Sequence, residues 1–152
     1  MFSLKGMTAA ITGGTSGIGE AVAARFVAAG ARVVIIGRRD GAEVARKVGA
    51  VAAVRADCSQ EREIARALQE ARDHLGEDLD VLVNNAGIEN TGPLIADATG
   101  EELNRIFAIN TFAVFHGLKY GQALLKDGGS VINTASIAAD LGVPGYSQYS
   151  AS

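Results

Sequence analysis

Short runs of near-continuous apolar residues alternate along the chain with longer stretches whose apolar residues recur every three or four positions. The first pattern predicts buried strands and the second amphipathic helices. Met7–Ile11 reads as a strand, and 17–29 as a helix with Ile18, Val22, Phe26 and Ala29 on one face, stopped by Gly30. Arg32–Ile36 is a second strand, and Asp40-Gly41-Ala42-Glu43 has the form of a capping box that opens a short helix. Val51–Val54 reads as a third strand. Ser59–Leu75 follows as a helix carrying Ile64, Leu68, Ala71 and Leu75, then Leu79–Val83 as a fourth strand. A second capping box, Thr99 to Glu102, opens a long helical stretch to about Lys126, with room for a break. That stretch is apolar on more than one side, through Leu103, Ile106, Phe107, Ile109, Phe112, Val114, Phe115 and Leu118. Such a helix needs cover on several sides, part of it expected from a partner subunit. Ser130–Thr134 reads as the fifth strand.

Strands of Val, Ile and Ala that alternate with helices imply a parallel sheet buried on both faces. Right-handed crossovers make it doubly wound. The expected fold is α/β, a single domain over 1–152 in which the fifth strand is left as a sheet edge.

Composition narrows the partners more than the fold. Of 152 residues, 48% are hydrophobic and 20% charged, as in an ordinary globular core. There are 19 glycines against 2 prolines, which favours tight strand-to-helix turns. A net charge of −3 without a Lys/Arg run argues against nucleic acid or an anionic membrane as a partner. No stretch of ~18 apolar residues occurs, and no secretory leader is read at the N-terminus. The single Cys58 favours a reducing compartment, and a cytoplasmic location is expected. His74 and His116 stand apart with no companion ligands and are read as structural, so no metal is expected.

Thr12-Gly13-Gly14-Thr15-Ser16-Gly17-Ile18-Gly19 lies at the first strand-to-helix junction. Gly13 would let the chain turn out of the strand, Gly17 would let the backbone approach a pyrophosphate, and Gly19 would let the helix pack close. The helix N-terminus adds unpaired N–H groups and a positive dipole end. This is a dinucleotide site, with Thr15, Ser16 and Ile18 among its contacts. At the end of the second strand an acid would bind a ribose 2′-hydroxyl, but the chain has Gly37-Arg38-Arg39. Arg38 can pair with a 2′-phosphate, so NADP is expected and NAD is the second choice. A solvated arginine pair is the other reading. Asp57 follows the third strand, where it either accepts from the adenine amino group or caps the next helix. Cys58 beside it is placed with the cofactor contacts, as a buried thiol without a catalytic task. Asn84-Asn85-Ala86-Gly87 closes the fourth strand. Its small residues suit backbone contact with ribose or nicotinamide, and its amides can tie neighbouring strands. Asn85, Ala86 and Gly87 are the expected contacts.

Ser136 stands thirteen residues before Tyr149. A phenol titrates near ~10 and moves protons poorly at neutral pH. A lysine four residues further along a helix would share its face and favour the phenolate. That position follows Ser152 directly. Tyr146 is the competing phenol, but a lysine four residues on would fall at Ser150.

Together the glycine motif, Asp57, the Asn-Asn-Ala-Gly tetrad, Asn110, Ser136 and Tyr149 resemble the short-chain dehydrogenase/reductase family, of the compact single-domain type. The resemblance runs through the whole chain. It implies a Rossmann-type sheet whose C-terminal strands are missing here. It also implies hydride transfer between a nicotinamide cofactor and an alcohol or ketone. Tyr149 would be the general acid/base, Ser136 would orient the substrate, and Asn110 would help to hold a relay water. A small-molecule alcohol or carbonyl substrate and a homo-oligomer, dimer or tetramer, are expected from it. The alternative expectation is a catalytically inactive truncated fragment that keeps only a nucleotide-binding or assembly role.

Overall fold

The computed structural model describes residues 3–89, 92 and 94–152. Five parallel strands form one sheet: β1 (Thr8–Thr12), β2 (Arg32–Gly37), β3 (Ala52–Arg55), β4 (Leu79–Asn84) and β5 (Leu125–Asn133), in the order β3-β2-β1-β4-β5. The order reverses between β1 and β4. In open α/β sheets that reversal opens a crevice at the carboxyl ends of the strands, where ligands bind.

Both faces of the sheet are covered, and the two-residue period shows which residue serves which face. Ala10, Val34, Ile36 and Leu82 point to one side, where they meet Ile64, Leu68 and Leu75 of α3 (Glu61–Leu75). Ala9, Ile11, Val33, Ile35, Val81 and Val83 point to the other. There they meet Ala23 of α1 (Gly17–Ala28) and Ala45 of α2 (Ala42–Val48). Each fully buried Leu or Ile contributes roughly 1.5–3 kcal/mol. Ile18, expected on the buried face of α1, is instead 68% exposed. It sits in the first turn, beyond the sheet edge, where the helix faces the crevice.

The long helical stretch has no break. α4 (Gly100–Phe107) passes through a π turn, Ala108–Phe112, into α5 (Ala113–Gly121), and a 3₁₀ turn, Gln122–Leu124, ends it. Thr99 caps α4 as expected, its hydroxyl accepting from the Glu102 N–H. Asp40 accepts from the Ala42 N–H at 3.0 Å and so opens α2, although the cap position itself falls on Gly41. Lys126 lies outside the helix because its ammonium pairs with Glu77 and Asp80, both at 2.9 Å. That contact starts β5 at Leu125, opposite Leu79, five residues earlier than its apolar run suggests. Residues between Leu125 and Ser130 bulge outward before the regular register resumes at Val81↔Ser130. Among the described residues β5 is an edge strand, as β3 is on the other side, and its Val131 and Ile132 are exposed. Phe112, Phe115 and Leu118 also stand exposed on the α4–α5 stretch, Phe115 by 62%. No helix among the described residues is long and apolar enough to cross a membrane.

Candidate active site

The turn after β1 is built from residues without side chains because other atoms fill their places. Gly13 has φ +67, and a Cβ there would stand 2.8 Å from the Ala86 Cα. A Cβ on Gly19 would overlap the Gly13 carbonyl oxygen and stand 2.6 Å from Asn85 Nδ2. Gly19 therefore admits the turn and the end of β4, a closer partner than the sheet surface that its spacing suggests. Gly17 differs. Its φ is +56 and its missing Cβ meets nothing within 4 Å, so an open cradle faces the crevice there. The Ser16 hydroxyl makes no capping bond to α1 and lies exposed at the helix N-terminus. Glycine at 17, exposed hydroxyl and helix end together fit a pyrophosphate.

Thr12, which the sequence reading did not single out, locks this turn to β4. Its hydroxyl oxygen accepts from the N–H groups of Asn85 (3.0 Å) and Ala86 (3.1 Å). Asn85 Nδ2 returns a bond to the Thr12 carbonyl at 3.1 Å, and Thr134 donates to Asn85 Oδ1 at 3.3 Å. Asn84 is buried and ties β4 to β5 through Asn133 Oδ1 at 2.9 Å. The strand-tying role read for the tetrad is filled by Asn84 and Asn85. A polar residue ending an otherwise apolar strand was the available signal for Thr12.

At the end of β2, Thr15 fills the place a side chain on Gly37 would need, its Oγ1 2.5 Å from that position. Arg38 and Arg39 are exposed and line the crevice, and no carboxylate pairs with Arg38 among the described residues. Asp57 lines it too. One of its carboxylate oxygens accepts from the Ser59 N–H (2.9 Å) and hydroxyl (2.8 Å), shaping the turn before α3. The second oxygen accepts no hydrogen bond from the described residues. Cys58 is buried beside it, and burial first, then Asp57 and Glu63, push its thiol up to about 11. A thiol so protonated is a poor nucleophile.

Asn110 sits in the π turn, where an extra residue re-aims a side chain. Its Oδ1 accepts from the Ile88 N–H at 2.8 Å, and its Nδ2 donates to the Ile88 carbonyl at 3.0 Å and to Ser152 Oγ at 2.8 Å. Ser152 Oγ in turn donates to the Tyr149 carbonyl, and Thr111 holds the Ser152 carbonyl, each at 2.8 Å. One amide thus fixes both the loop after β4 and the end of α6 (Ser147–Ala151). Ser136 follows β5 and caps a short turn, its Oγ accepting from the Ala138 N–H at 3.2 Å. Tyr149 is half-buried on α6, its ring edge-on to Tyr146 at 6.0 Å.

The residues expected as catalytic or cofactor contacts, except the buried Gly19, line one crevice of about 720 Å³, whereas Asn84 and Tyr146 do not. Ile88, Ile109 and Val114 join them as apolar walls that the sequence reading missed. His74 is exposed, and His116 rests 3.8 Å from Glu61 between α5 and α3, away from this crevice. Among the described residues no cluster of three or more His, Cys, Asp or Glu is arranged to hold a metal.

A doubly wound sheet with a glycine turn and with Ser, Tyr and Asn at one crevice defines a class of nucleotide-binding α/β proteins. The chain belongs to the short chain dehydrogenase family, whose sequence pattern matches residues 7–152. It is 36% identical to the hydroxynaphthalene reductase of Aspergillus fumigatus, over 98% of this chain and 56% of that protein. It is also 36% identical to the NADP-dependent (R)-specific alcohol dehydrogenase of Lentilactobacillus kefiri, over 98% of this chain and 62% of that one. The 3-ketoacyl-(acyl-carrier-protein) reductase of Brucella melitensis, solved with NADH, superposes with a TM-score of 0.91 at 37% identity. That match covers 98% of this chain and 65% of the other. The chain therefore spans less than two thirds of the length of these relatives.

Proposed function

We propose that the whole protein is an NAD(P)-dependent oxidoreductase that interconverts an alcohol and a carbonyl compound, with Tyr149 as general acid/base. The observation that carries this reading is the shared crevice: Tyr149, Ser136 and Asn110 line the same cavity as Gly17 and the N-terminus of α1. A nicotinamide bound there would supply the hydride transfer to and from the carbon that bears the substrate oxygen. Tyr149 takes the hydroxyl proton as the carbonyl forms, and gives it back in reduction. Ser136 hydrogen-bonds the same oxygen. Asn110 and Thr111 hold Ser152 at the end of α6, and a helix continued from there would bring the residue four beyond Tyr149 onto the same face. A lysine there would supply the cation that favours the phenolate.

The 2′-phosphate of NADP is the group that Arg38 would recognise, since no carboxylate stands ready for a 2′-hydroxyl. Asp57, through its second carboxylate oxygen, would accept from the adenine amino group. Exposed Phe112, Phe115 and Leu118 support an oligomer that covers the outer side of the α4–α5 stretch. The single, free cysteine suits a reducing cytoplasm. The test is nicotinamide absorbance in the whole protein with NADP or NAD and a panel of secondary alcohols. Reduction of NADP by at least one member is expected; no turnover with either cofactor overturns the reading.

A further inference from the structure

Tyr146, the phenol that competes with Tyr149 in the sequence, occupies a position with its own consequence. It precedes α6 and supplies its first carbonyl, which accepts from the Ser150 N–H at 2.7 Å. Its ring packs edge-on against Tyr149, centroids 6.0 Å apart and planes at 69°. Its hydroxyl donates to Glu89 Oε1 at 2.6 Å. Glu89 follows Ile88, the residue whose N–H and carbonyl Asn110 holds. Beside this bond the two loops touch through their backbones, where the Gly92 N–H donates to the Gly145 carbonyl at 2.8 Å. A Cβ on Gly145 would stand 2.9 Å from the Gly92 carbonyl oxygen, so the approach is as close as backbone allows.

We propose that Tyr146 and Glu89 are a positioning pair, which fixes the ring of Tyr149 over the crevice by tying α6 to the loop that follows β4. The inference rests on the oxidoreductase reading, with Tyr149 as acid/base. The path is continuous: Asn110 holds Ile88, Glu89 extends from it, the Tyr146 phenol reaches Glu89, and the Tyr146 ring meets Tyr149. Among the described residues the Glu89 bond is the side-chain tie that joins the N-terminal end of α6 to the β4 loop. The bond to Glu89 also raises the Tyr146 titration above that of an ordinary phenol. Tyr146 is therefore held as a donor, and Tyr149 is left as the phenol that moves protons.

The test uses the whole protein, with NADP and the fastest alcohol among 2-butanol, 2-octanol and cyclohexanol. Misplacement of a reacting group by about 1 Å costs up to ~100-fold. Loss of one tie should therefore lower kcat about 10-fold in Tyr146→Phe and in Glu89→Ala, with the cofactor KM unchanged. Because both variants break the same bond, the double variant should be no slower than either single one. Glu89→Gln keeps an acceptor for the phenol and should recover most of kcat. A merely structural contact would move thermal stability without this split or this rescue. If Tyr146→Phe keeps kcat within about two-fold while Tyr149→Phe loses turnover, the positioning pair is wrong and the oxidoreductase reading stands. Multiplicative losses in the double variant also overturn it. If Tyr149→Phe keeps full turnover, Tyr149 is not the acid/base and the positioning pair falls with it; if no panel member reacts, the oxidoreductase reading itself has failed.

Discussion

Replacing Gly19 by alanine separates the two roles that glycine plays in the turn after β1. A methyl at 19 overlaps the Gly13 carbonyl oxygen and stands 2.6 Å from Asn85 Nδ2, where ordinary contact begins at 3.4 Å. The amide must retreat by about 0.8 Å, or the turn must open. Overpacking of this kind costs ~1–3 kcal/mol. The retreat also strains the bonds from Asn85 Nδ2 to the Thr12 and Gly13 carbonyls, each worth ~1 kcal/mol. Better helix propensity of alanine returns up to ~1 kcal/mol. The net loss is about 1–4 kcal/mol, or roughly 3–15 °C in Tm for a domain of this size. Gly17→Ala meets no atom within 4 Å and pays only the left-handed backbone, ~1–2 kcal/mol. Its methyl instead occupies the open cradle, so its main effect should be on the cofactor Kd. Melting by circular dichroism and cofactor titration of both variants, in the whole protein, check this. A Gly19→Ala variant that melts within ~1 °C of the parent would refute the packing argument.

Three further outcomes are expected. Arg38→Asp should lower the ratio of NADP to NAD affinity by at least ~10-fold at fixed salt, since a forked charge-assisted contact is replaced by repulsion; an unchanged ratio means that Arg38 does not read the phosphate. The Cys58 thiol titrates near 11 when folded, against 9.0 ordinarily, so the folded state holds its proton more tightly. Its contribution is complete below pH 9 and is lost as pH rises toward 11, by about 2–3 kcal/mol; urea melts of Cys58→Ala and parent across that window should converge, and parallel curves would refute it. Phe115→Glu should shift the whole protein to smaller species in sedimentation, whereas unchanged sedimentation rules the exposed α5 face out as an interface.

How far the chain could be read in advance differs by element. The strands over Thr8–Thr12, Arg32–Gly37 and Leu79–Asn84 were legible because both faces are buried and their central residues are apolar. The start of β5 was not, because Lys126-Asp127-Gly128-Gly129 carries loop chemistry and its pairing is decided by Lys126 reaching Glu77 and Asp80 across the sheet. The π turn was hidden, because one inserted residue hardly changes a periodicity that was apolar on several faces already. Ile18 was misplaced because an apolar residue at helical spacing looks the same whether the core or the crevice receives it. The site residues were legible by type, and their partners were not. That Asn110 grips both Ile88 and Ser152, or that Thr12 locks Asn85 and Ala86, depends on contacts 22 to 74 residues apart in sequence.

The central claim is that Tyr149 moves the proton in a crevice that binds the cofactor independently of it. The most direct measurement is a paired one on Tyr149→Phe in the whole protein: cofactor Kd by fluorescence titration, and kcat with the best alcohol of the panel. The account predicts a Kd within about two-fold of the parent and a kcat lower by ~10²–10⁴, the usual worth of a placed general acid/base. A variant that binds cofactor normally and turns over near the parent rate would contradict it.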